Sequence, residues 1–114
     1  MKIQHIILLS LTLSILLAGC STQEIDPRVE ALASCLKDSG ALFYGAYWCG
    51  HCENQKEMFG ASVKSLPYVE CTQEQQRCAQ ANIEGYPTWV FADGTRQTGV
   101  QSFEALAEIS GCEY

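Results

Sequence analysis

The sequence predicts an α/β domain built on one four-stranded mixed sheet with helices on both faces. Three observations carry this expectation. The elements read helix, strand, helix, strand, helix, hairpin, helix. A strand-helix-strand unit needs a right-handed parallel crossover. Asp93-Gly94 joins two strand-like runs, a hairpin signal that adds antiparallel strands at one edge. At 114 residues and 47% hydrophobic side chains the chain has room for one small domain.

Each element has a local cause. Asp26 can cap a helix with Pro27 at its first position, and Val29, Leu32, Ala33 and Leu36 recur at helical spacing until Gly40. Residues 41–47, "ALFYGAY", form a mostly apolar run of strand length, the pattern of a strand buried on both faces. Cys49 stands where that strand gives way to a helix running to about Phe59, with Gly60 as its stop. "LPYVECT" reads as a second strand ending at Cys71, and "QEQQRCAQANI" as a short helix carrying Cys78. "GYPTWVFADGTRQTGV" holds the hairpin strands. Phe103, Leu106, Ala107 and Ile109 mark a final amphipathic helix, punctuated by Gly111 before Cys112.

The N-terminus bears on the compartment. "MKIQHIILLSLTLSILLAGC" has a short start charged only at Lys2, an apolar stretch from Ile6 to Leu17, and small residues before Cys20. The apolar stretch falls short of the roughly 20 residues a membrane span needs, so a signal peptide is the better reading. Leu17-Ala18-Gly19-Cys20 resembles a bacterial lipobox, which implies that Cys20 is acylated and becomes the first mature residue. The expected division is a signal peptide at 1–19, a lipidated N-terminus and linker at 20–26, and the folded domain at 27–114. The resemblance implies an extracytoplasmic location, anchored by lipid to a bacterial membrane on its periplasmic or cell-surface face.

The formal charge of -6 argues against a nucleic-acid partner, because an acidic surface repels phosphate. Setting Cys20 aside leaves six of the seven cysteines in an oxidising compartment: Cys35, Cys49, Cys52, Cys71, Cys78 and Cys112. Cys49 and Cys52 enclose Gly50 and His51 at the start of a helix, where unpaired N–H groups and the positive end of the dipole favour a thiolate. Cys49 is the expected nucleophile and Cys52 the resolving thiol. His51 can stabilise the Cys49 thiolate by charge or hydrogen bond; the plain alternative is a solvated helix residue.

The element order, Trp48-Cys49-Gly50-His51-Cys52 at a strand-to-helix junction, and Tyr86-Pro87-Thr88 before the hairpin resemble a thioredoxin-like fold lacking its first strand, over roughly residues 28–112. The resemblance implies a thiol-disulfide oxidoreductase acting on protein thiols. It implies a cis Pro87 lying against the cysteine pair, with Tyr86, Thr88 and the aromatic Trp48 shaping the substrate surface. The Cys-Gly-His-Cys quartet is that of protein disulfide isomerase domains, whose potentials lie roughly 90 mV above that of thioredoxin. It therefore leans toward donating or shuffling disulfides. No cofactor and no metal are expected, and a monomer is expected.

One position departs from the family. Thioredoxins bury an acid six residues ahead of the first cysteine, where it takes the proton of the resolving thiol; here Phe43 occupies that position. Glu53 and Glu57 are close in sequence but read as solvated helix residues. Several stretches, among them "FYGAYWCGHCENQKEMFG" and "LPYVECT", resemble the thioredoxin-like domain associated with bacterial vitamin K epoxide reductase homologues. That narrower resemblance implies a membrane disulfide-generating oxidase as redox partner and exported proteins as clients. It also implies a second cysteine pair at Cys71 and Cys78, as a staple or an electron relay.

As a staple, a bridge between Cys71 and Cys78 is worth roughly 2.5 kcal/mol in the chain-entropy view. Cys35 and Cys112 remain, and a bridge between them would be worth about 4.5 kcal/mol by the same reckoning; whether their helices share a sheet face is left open. Three rival readings have their own signatures. Cys49, Cys52, Cys71 and Cys78 could form a zinc site, although the spacing of the second pair is loose and export disfavours it. A non-catalytic, disulfide-stapled binding lipoprotein would be indifferent to loss of Cys49. A membrane-tethered reductase, as in cytochrome c maturation, would run the same chemistry in reverse.

Overall fold

In the computed structural model, which describes residues 19–114, the fold starts from a capped helix. The Asp26 carboxylate accepts the Arg28 N–H at 2.9 Å and opens α1 (Pro27–Asp38). Its apolar stripe, Val29, Leu32, Ala33 and Leu36, is buried. The expected signal peptide lies outside the described residues, apart from Gly19. Cys20 is exposed and unbonded. Among the described residues no helix is long and apolar enough to cross a membrane.

The elements then come in the expected order: β1 (Leu42–Gly45), α2 (Gly50–Phe59), β2 (Tyr68–Glu70), α3 (Gln75–Gln80), β3 (Thr88–Val90), β4 (Arg96–Thr98) and α4 (Phe103–Ser110). The sheet order is β2-β1-β3-β4. β1 runs parallel to β2 and antiparallel to β3, and β3 pairs antiparallel with β4. The fold is therefore a thioredoxin-like α/β fold with a four-stranded mixed sheet.

β1 is shorter than its apolar run, because the chain leaves the ladder after Gly45 to make the turn that starts α2. A second difference comes after α2. Gly60, with φ 53°, ends the α ladder, but the chain does not pass straight to the next strand. It tightens into a 3₁₀ helix, Gly60–Ser65, that packs on α1. There the Ser65 and Ser34 hydroxyls donate to the Glu30 carboxylate. The Ser65 bond is the main reason the Glu30 carboxyl sits below its ordinary range.

Alternation along β1 divides the core. Phe43 points to one face and joins Leu32, Leu36, Trp89 and Leu106, all 0% exposed, with Phe59 and Phe91. Each such side chain contributes roughly 1.5–3 kcal/mol by leaving water. Tyr44 points to the other face and meets Val69, Cys71 and Cys78. Thus α1, α2 and α4 cover one face and α3 the other. Because α1 and α4 share a face, Cys35 and Cys112 come within 6.0 Å, Cα to Cα, and are bonded.

Candidate active site

β1 aims the chain at the site. Gly45 and the fully buried Ala46 end the strand, and the Cys49 N–H bonds the Ala46 carbonyl at 3.0 Å to close the turn. Cys49 keeps extended backbone angles, φ -85° and ψ 113°, and so becomes the N-cap of α2. Its Sγ accepts the Cys52 N–H at 3.2 Å, the place an oxygen takes in an ordinary cap. A sulfur there meets the unpaired amides of the first turn.

The two thiols differ in environment. Both are buried, but Cys49 keeps 7% exposure, whereas Cys52, one turn further in, is 0% exposed. Burial first, then the hydrogen bond with the Cys49 thiol, push the Cys52 thiol up to about 12. An incoming sulfur therefore finds Cys49 before Cys52. His51 lies exposed in the first turn of α2.

The surface around Cys49 is aromatic. Trp48 is 62% exposed and meets Tyr86 edge to face at 5.8 Å, and Tyr86 also packs on the cluster of Ala46, Cys49 and Cys52. The Tyr86-Pro87 peptide is cis and Pro87 is buried. Thr88, also buried, donates its hydroxyl to the Gly85 carbonyl at 2.7 Å. Glu53 and Glu57 are exposed on α2.

Phe43 fills its position with an aromatic stack, 4.8 Å from the Trp89 ring and 5.0 Å from that of Tyr68. No carboxylate enters from β1. Cys71 and Cys78 are bonded to each other with Cα atoms 5.7 Å apart. Their sulfurs are thus taken, and the four-cysteine metal set of the zinc reading does not form.

Several residues near the site carried no signal in the motif. Gln55 is 0% exposed; its Oε1 accepts from Trp89 Nε1 at 3.2 Å and from the Gln101 N–H at 2.8 Å. It ties α2 to β3 and to the segment before α4. Its spacing from Cys52 and Phe59 puts it on the buried stripe of α2, which periodicity could have revealed. Tertiary packing brings Gly45 and Tyr68 beside Cys52 and Lys56.

The chain is similar in sequence to known proteins. A thioredoxin family profile matches residues 37–110. The chain is 45% identical over 95 residues to "Thiol-disulfide oxidoreductase LTO1" of Arabidopsis thaliana, covering 75% of this chain and 25% of that protein. It is 34% identical over 92 residues to a protein disulfide-isomerase of Arthroderma benhamiae, covering 69% of this chain and 17% of that one. It thus spans a quarter or less of the length of these curated relatives. Among solved structures, a poplar thioredoxin h is 21% identical with a TM-score of 0.47, covering 70% of this chain and 82% of that one.

Proposed function

The chain belongs to the thioredoxin family, and from that premise we propose that it is a thiol-disulfide oxidoreductase that donates or isomerises disulfides in exported proteins through Cys49 and Cys52. The observation that carries the reading is the cap itself. The less deeply buried sulfur, of Cys49, sits at the N-terminus of α2 with the fully buried Cys52 thiol one turn behind it, while the other cysteines of the folded domain are bonded.

In the donating direction a client thiolate attacks Cys49 Sγ of the oxidised pair. The Cys49–Cys52 bond breaks, its electron pair leaves on Cys52, and a proton from solvent neutralises that thiolate. A second client thiolate then attacks the client sulfur of the mixed disulfide and releases Cys49. The client loses two electrons to the pair and gains one disulfide. Trp48, Tyr86, Pro87 and Thr88 form the surface against which the client lies, and His51 stands exposed between the two cysteines.

The location and the recharging step belong to the same proposal. The lipobox-like Leu17-Ala18-Gly19-Cys20 supports a lipid anchor on an extracytoplasmic face. Resemblance to the domains associated with vitamin K epoxide reductase homologues supports recharging by a quinone-linked membrane oxidase of that type. Radiolabelled fatty acid should enter the parent protein and not Cys20→Ser; equal labelling would remove the anchor.

The reduction potential of the Cys49–Cys52 pair decides direction. A value near about -180 mV or above supports donation, and one near about -270 mV turns the protein into a reductase. Client proteins trapped on Cys52→Ala should be exported ones, and an empty trap would count against oxidoreductase activity.

A further inference from the structure

The buried thiol of Cys52 has to carry a negative charge whenever the disulfide opens or closes, yet β1 offers it no charged side chain. The groups that do stand beside it come from α2 and β2. Lys56 lies one helical turn beyond Cys52, on the same side of α2. Its side chain is one-fifth exposed, its Nζ sits 3.9 Å from the centre of the Tyr68 ring, and Glu53 holds it at 3.2 Å.

Tyr68 reaches toward the same place from β2. The point where any residue other than glycine would carry a Cβ at position 45 lies 3.0 Å from Cys52 Sγ and 3.1 Å from the Tyr68 hydroxyl. Thiol and hydroxyl thus border one gap and are no more than about 6 Å apart. A Cβ there would also stand 2.9 Å from Tyr68 Cε2, so glycine keeps the gap open. The hydroxyl now donates to Glu70 Oε1 at 3.1 Å. Burial, then Glu70 and Cys52, hold the Tyr68 phenol above its ordinary value, so it remains a donor at neutral pH.

We propose that Lys56 and Tyr68 stabilise the Cys52 thiolate, the ammonium by its charge and the hydroxyl by turning from Glu70 to donate across the gap at Gly45. The assignment rests on the redox function proposed for Cys49 and Cys52 and adds to it the residues that support the resolving sulfur. In the opening step the Cys49–Cys52 bond breaks as the client sulfur bonds Cys49, and the electron pair arrives on Cys52 beside this cation and donor. In the reverse step the same groups stabilise the thiolate before it attacks Cys49. The other groups that act on Cys52 are the Cys49 thiol and the Ala46 backbone. Glu53 and Glu70 act through Lys56 and Tyr68.

The test monitors opening of the disulfide in the oxidised full chain by dithiothreitol, read from tryptophan fluorescence, at low and high salt. Lys56→Gln and Tyr68→Phe, which keeps the ring under Lys56, should each slow opening about threefold, the size expected of one partly exposed polar partner. Lys56→Arg should recover most of the rate, and the deficit of Lys56→Gln should shrink at high salt as the charge is screened. The exposed Lys64→Gln should match the parent. Parental rates in both Lys56→Gln and Tyr68→Phe, or a Lys56→Gln deficit indifferent to salt and to arginine, would overturn the assignment. A parent whose Cys49–Cys52 pair neither forms nor opens would instead sink the redox reading, and the assignment with it.

Discussion

Gln55 is a polar side chain where the periodicity of α2 asks for an apolar one, and its hydrogen bonds explain why it is tolerated. Replacing it with leucine keeps the volume but leaves the buried Trp89 Nε1 and the part-buried Gln101 N–H without their acceptor. Each loss should cost roughly 1–3 kcal/mol, visible as a lower urea midpoint with an unchanged slope. Cys52 makes a different prediction. Its folded value is raised, from 9.0 to about 12, chiefly by burial. The folded state therefore holds the proton more tightly than the unfolded one. No stability is lost below pH 9.0, and it falls away as pH climbs from 9.0 toward about 12. The oxidised protein has no Cys52 thiol to titrate. Melts of the two forms should thus diverge above pH 9.0, the reduced form falling faster; parallel curves would contradict the burial of that thiol.

The helices meet the sheet through their ends as much as their faces. Asp26 and Ser102 are the oxygen caps of α1 and α4, and Cys49 is the sulfur cap of α2. Ser102 Oγ accepts the Ala105 N–H at 3.1 Å. Ser102→Ala should lower stability by about 1 kcal/mol in thermal unfolding, with little effect on the redox pair. The starts of α1 and α2 were legible because Asp26, Pro27 and Cys49 act locally, whereas the Ser102 cap emerged only from the structure. The 3₁₀ helix after Gly60 was not legible either, since a glycine stop marks the end of an α ladder without specifying the conformation of the next residues.

Across the whole molecule, the Cys35–Cys112 bridge joins the end of α1 to the segment after α4 over a separation of 77 residues. Cys71–Cys78 closes only 7. Replacing both members of the long bridge with serine should cost up to about 4.5 kcal/mol, and of the short one up to about 2.5, if unfolded-chain entropy dominates. Denaturant titration of the two double variants checks the order; a larger loss from the short bridge would show that local strain or packing outweighs chain entropy. For a domain with so small a core, the long bridge is a large share of the net stability.

The Asp26 cap, the apolar stripes of α1 and α4, the apolar run of β1 and the Asp93-Gly94 turn act over a few residues, so local sequence sufficed to place them and with them the fold. Cys49 at the head of α2 was legible for the same reason. Which face α1 takes, and hence the meeting of Cys35 with Cys112, depends on how helices share a sheet. The meeting of Gln55 with Trp89 and the approach of Gly45 and Tyr68 to Cys52 and Lys56 depend on contacts between β1, β2, β3 and α2. Those contacts are set by packing between segments distant in the chain, where no local spacing records them.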